Sequence, residues 1–127
     1  MTITDTGGAK PVTKTISLTV GSFGNNASIR NVAWVPNISG ATGPPQLSIP
    51  LNVDVRGVTW MDNNNAVRAN VTVEYQPYMP EAKSQPGTIQ ASAQTIFYDG
   101  RRTQILMAAD PVSDRKTTIE VTATILK

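Results

Sequence analysis

Between Leu47 and Tyr98 apolar and polar residues alternate with a two-residue period, and only extended strands with one covered face sustain such a pattern. Leu47, Ile49, Leu51, Val53 and Val55 share one parity, while Asn52, Asp54 and Arg56 share the other. Gly57 interrupts the count, and Val58 and Trp60 then carry the apolar parity, as a one-residue bulge at a glycine requires. The run Asp62, Asn63, Asn64, Asn65 supplies a turn, because these side chains bond to nearby backbone and tolerate left-handed conformations. Val67, Ala69, Val71, Val73 and Tyr75 then oppose Arg68, Asn70, Thr72 and Glu74. In a third strand Ile89, Ala91, Ala93 and Phe97 oppose Gln90, Ser92 and Gln94. The result is a meander with one apolar face and one flat polar face.

Outside that meander the pattern is looser. Residues 1–12 are small and polar and read as a flexible arm. Thr15 to Val20 reads as a strand, with Ile16, Leu18 and Val20 on one face, and Ala27 to Val35 as its partner in an N-terminal hairpin. The proline-rich segments Pro36 to Pro45 and Pro77 to Gly87 are surface loops, and Asp99-Gly100 is a tight turn. Thr103 to Ala109 favours helix as readily as strand, and Asp110-Pro111 suits a helix N-cap and first position. Thr117 to Leu126 alternates again and reads as a final strand. The fold class expected is therefore mainly β: an antiparallel meander sheet with an N-terminal hairpin and at most one short helix near the C-terminus, in one domain over residues 1–127.

Composition narrows the chemistry. The chain has no cysteine and no histidine, which removes disulfides, thiolate nucleophiles, the usual general base near neutrality and nearly all zinc sites. The expectation is a protein that is not an enzyme and that uses no catalytic residue, metal or cofactor. Asp62 to Asn65 superficially suggests a calcium loop, but the glycine and glutamate that such a loop needs at its sixth and twelfth positions are Val67 and Val73. Asp54 and Glu74 share a face with Arg56 and Arg68, so surface ion pairing outweighs acid–base chemistry. Sequons at Asn26, Asn37 and Asn70 carry little weight in a chain this rich in Asn, Ser and Thr.

A formal net charge of +2 is too small for a protein that coats nucleic acid by charge alone. Binding to a polymer would be local, through Arg to phosphates and through Asn, Gln, Ser and Thr to sugar hydroxyls and base edges. The same polar face also suits a carbohydrate, and it suits plain solvent. No segment reaches the roughly 18 apolar residues of a membrane helix, and neither a membrane nor a small-molecule substrate is expected as a partner.

Three stretches carry a likeness to a known family. KTISLTVG (Lys14 to Gly21), LNVDVRG (Leu51 to Gly57) and RANVTVEY (Arg68 to Tyr75) resemble strands of the coat proteins of single-stranded RNA bacteriophages. The resemblance implies a viral structural protein that dimerises, assembles in the bacterial cytoplasm into an icosahedral shell and resides in the virion. It also implies that the interior sheet face holds single-stranded RNA; carried over by position, this nominates Arg56, Arg68, Asn70, Thr72, Gln90, Ser92 and Gln94. The family ends in a pair of helices, whereas this chain ends in TTIEVTATILK, a strand pattern, and would be a divergent member. Two other classes fit a β domain of this kind. One is a phage decoration or head-fibre sandwich; the other is a carbohydrate-binding or adhesive module using Trp60, Tyr75 and Tyr78.

Overall fold

The computed structural model describes residues 1–6, 11–21, 25–36, 46–61, 63, 65–78, 87–110 and 114–126. Its strands are β1 (Thr2–Thr6), β2 (Val12–Thr15), β3 (Ala27–Pro36), β4 (Gln46–Met61), β5 (Ala66–Tyr75), β6 (Ile89–Tyr98), β7 (Arg102–Ala109) and β8 (Lys116–Thr122). They form two antiparallel four-stranded sheets, ordered β2-β1-β8-β7 and β3-β4-β5-β6. The mainly-β expectation holds, and among the described residues there is no helix longer than a single 3₁₀ turn position at Asn63.

The meander is as the alternation requires. Its inward residues Val53, Val58, Ala69, Val71, Val73, Tyr75, Ala91 and Phe97 join Ile3 and Ile119 of the other sheet in one buried core. Each fully covered Val or Phe contributes about 1.5–3 kcal/mol relative to exposure. The bulge also stands where the parity break put it: Gly57 has φ +63°, and the β4–β5 register slips by one between Arg56 and Thr59. That slip turns Val58 into the core. The β4–β5 ladder begins at Leu51. Pro50, one residue earlier, has no N–H to give, although its carbonyl accepts from Gln76 N at 3.1 Å.

Two expectations are corrected, and one left open is decided. The N-terminal hairpin does not join residues 15–20 to residues 27–35: β2 pairs with β1, and β3 pairs with β4 as a fourth strand of the meander sheet. Residues 16–20 keep the inward set Ile16, Leu18 and Val20 against the core, but they form no ladder. The arm expected over 1–12 is instead a strand over Thr2–Thr6, held between β2 and β8. Ile3 fits there at 1% exposure, and Asp5, at 5%, is held by Arg115, whose Nε donates to Asp5 Oδ1 at 2.8 Å and whose Nη2 donates to Asp5 Oδ2. Finally, Thr103 to Ala109 is strand. A register slip between Gln104 and Leu106 lets both Ile105 and Leu106 reach the core and leaves Met107 outside. Asp110 N donates to Arg115 O at 2.8 Å and closes the β7–β8 hairpin. The loop residues 37–45 and 79–86, with Asp62, Asn64 and 111–113, lie outside the described residues.

Candidate nucleic-acid interface

The outer face of the β3-β4-β5-β6 sheet is a set of cross-strand rows fixed by register. Arg30, Asn52, Glu74 and Gln90 form one row; Ser28, Asp54, Thr72 and Ser92 the next; then Arg56, Asn70 and Gln94. Beyond the bulge Thr59, Arg68 and Ile96 align. The structure thus brings together all seven nominated residues on one face, and it adds Arg30, which the corrected pairing of β3 moves there.

The polar groups in these rows are largely tied to one another. Arg30 Nη2 donates to both carboxylate oxygens of Asp54 at 2.7 and 2.9 Å, and Arg56 Nη2 stands 3.9 Å from Asp54 Oδ1. Both arginines are well exposed, so each pair is worth at most a few tenths of a kcal/mol to about 1. Asn52 Nδ2 donates to Glu74 Oε2 at 2.6 Å, while Asn52 Oδ1 is covered and accepts nothing. Ser92 Oγ donates to Asn70 Oδ1 at 3.2 Å. Ser92 has a single hydroxyl proton, so the 3.2 Å contact between Thr72 Oγ1 and Ser92 Oγ runs from Thr72 to Ser92. The chain Thr72 to Ser92 to Asn70 ends on the amide oxygen of Asn70, whose NH2 donors take no part in it.

The face is electrostatically graded. Around Glu74 it is acidic, and Gln90, opposite Glu74, sits at this end; here a depression of about 390 Å³ is lined by Arg30, Asn52, Asp54, Glu74, Gln90 and Ser92 among others. Past Asp54 it becomes cationic. Arg68 has no carboxylate within ion-pair distance among the described residues, and it borders a second depression with Gln94, Thr95, Ile96 and Tyr98. Tyr98 is 43% exposed and carries the Arg101 guanidinium 5.6 Å from its ring centroid. Tyr98 and Arg101 were not nominated from sequence, although Tyr98 has the parity of Gln90 and Gln94 and was legible on that ground. Of the aromatic platform residues, Tyr75 is buried and Trp60 half-buried, while Tyr78 is exposed. The most open indole, Trp34 at 66% exposure, lies on β3 instead.

Among the described residues no group of three Asp or Glu side chains is placed to hold a metal ion, and no helix is long and apolar enough to cross a membrane. Compared with known proteins, the chain matches no family model, no curated protein and no solved structure. What stands is a class defined by architecture: a two-sheet, mainly-β chain whose β3-β4-β5-β6 sheet turns a largely polar face outward.

Proposed function

We propose that this chain is a viral structural protein of the coat type, which associates with copies of itself into a closed shell and holds single-stranded RNA on the outer face of the β3-β4-β5-β6 sheet. The carrying observation is that face: it spans four strands, shows no apolar patch between Arg30 and Gln94, and ends in Arg56 and an Arg68 with no carboxylate beside it among the described residues. A few arginines per subunit suffice when the subunit is repeated, because each bound copy raises the local concentration for the next. Phosphate contact belongs to Arg56 and Arg68, and sugar or base-edge contact to Asn70, Thr72, Ser92 and Gln94. Gln90, beside Glu74, sits furthest from the cationic end and contributes least.

The test is expression of the chain alone, followed by size-exclusion chromatography, negative-stain microscopy and the 260/280 nm absorbance ratio. Large particles rich in nucleic acid support the reading, and alanine at both Arg56 and Arg68 then lowers the packaged RNA while particles persist. Particles that fall apart before they lose RNA would refute the division between assembly and RNA holding.

One observation favours a second reading. The C-terminal strand β8 closes a second sheet with β1 instead of supplying a helix pair, which is the build of a decoration or head-fibre sandwich. Small discrete species free of nucleic acid in the same experiment would select it.

A further inference from the structure

The geometry points to β3 as a self-complementary edge: two copies of this chain pair their β3 strands antiparallel about a two-fold axis at Val32, giving one continuous eight-stranded sheet. This rests on the self-association proposed above and adds the surface and the register.

The first argument is the edge itself. β3 is the outermost strand of its sheet, pairs with β4 over ten residues without a bulge, and meets no other strand among the described residues. Natural edges are blunted by lysine, proline, bulges or brevity. The other edges follow that rule: β2 is four residues long and contains Lys14, β7 is bulged, and β6 turns directly into β7 and is bridged across by Asp99 and Ala123. Within Ser28 to Val35 there is no lysine or proline, and the one charged side chain, Arg30, is folded back onto Asp54. Val32 and Trp34 are 47% and 66% exposed.

The second argument is the direction of the free backbone groups. In an antiparallel strand the N–H and C=O of one residue point to the same side, and successive residues alternate. The Pro50 carbonyl is used by Gln76, on the side away from β3. Val32 lies opposite Pro50, so that pair exchanges no hydrogen bonds, and the amide and carbonyl of Val32 face the open edge. By alternation those of Ser28, Arg30 and Trp34 do so too.

The third argument selects the register. Edge-facing residues must pair with edge-facing residues, so a two-fold pairing is centred on Asn31, Val32 or Ala33 when it keeps most of the strand. The Val32 centre places Arg30 against the partner's Trp34 twice, a guanidinium over an indole, with Val32 against its own copy at the axis and Ile29 against Val35. A centre at Asn31 would set Arg30 against Val32 and Trp34 against Ser28, and one at Ala33 would set Arg30 against Pro36, so neither brings the guanidinium to an indole.

Because the chain has no cysteine, single-cysteine variants report the register directly. Asn31→Cys, Val32→Cys and Ala33→Cys are each oxidised with diamide and run on non-reducing gels. Residues meeting on the axis lie about 5.5 Å apart, within disulfide reach, whereas each neighbour lies about 8 Å from its own copy and is out of reach. The expected result is a covalent dimer from Val32→Cys at least about ten-fold faster than from the other two. Val32→Lys is expected to yield monomers by light scattering with an unchanged circular dichroism spectrum. A dimer that crosslinks best at Asn31 or Ala33, or at none of the three, overturns the register and leaves self-association standing. A wild-type chain that stays monomeric overturns both. Open-ended polymers that survive Val32→Lys would assign assembly to another surface and overturn the inference.

Discussion

Replacing Arg115 with methionine is expected to destabilise the fold by about 3–5 kcal/mol, because it strands a buried carboxylate. Asp5 is 5% exposed and sits inside the ladder, opposite Thr117 of β8, which is 2% exposed. Arg115 donates to both of its oxygens, and that hydrogen bonding, more than it is opposed by burial, holds the guanidinium above its ordinary value. Little water can reach Asp5 to replace the lost donors. With an unfolding slope of about 2 kcal/mol per molar urea, a loss of about 4 kcal/mol moves the urea midpoint down by about 2 M. The control is the double variant Asp5→Leu with Arg115→Met, which removes both charges and fills the space; it should return to within about 1 kcal/mol of the wild type or exceed it. A single variant that loses less than about 1 kcal/mol, or a double variant no better than the single, would show that the pair is not the buried unit described.

Other outcomes follow from the same geometry. Arg68→Ala should flatten the dependence of the logarithm of RNA affinity on the logarithm of salt by about 0.7, and Arg56→Ala by less, since Asp54 already lies 3.9 Å from Arg56; filter binding at several salt concentrations checks both. Gly57→Ala should cost about 1 kcal/mol through φ +63° alone, because nothing lies within 4 Å of the added methyl, and Gly57→Asn should cost less in the same urea titration. Burial first, and then the charge of Asp5, raise the Tyr75 phenol above 10.0. The folded state therefore holds that proton more tightly than the unfolded state, so the stability it adds is complete below pH 10 and is lost as pH climbs through the raised value. Absorbance at about 295 nm should show one tyrosine ionising after the others, and Tyr75→Phe should remove that late step.

The meander was readable because each of its strands obeys a local rule. Alternation set the faces of β4, β5 and β6, and the parity break at Gly57 located the bulge. The polar rows followed from the same parity, so all seven nominated residues lie on one face. What escaped was non-local. Residues 2–6 contain one large apolar side chain, Ile3, and an aspartate at an inward position, which reads as solvent-facing until Arg115 arrives from the far end of the chain. Residues 27–35 alternate as well for a partner at 15–20 as for β4, and only the long ladder with residues 46–55 decides. In β7 a second bulge places Ile105 and Leu106 side by side toward the core, so the two-residue period is broken where it was needed.

The placement of β1 between β2 and β8 sets an order of events during synthesis. The β1–β2 hairpin can close as soon as it leaves the ribosome, and the four strands of the meander sheet can pair once Tyr98 has emerged. The second sheet cannot, because the strand that covers the open side of β1 begins at Lys116. Until β8 has emerged the nascent protein carries Ile3 and Asp5 without their final neighbours, and the second sheet becomes cooperative only then. Before that point the molecule is half closed, so the emergence of β8 acts as the timer for completing its second sheet.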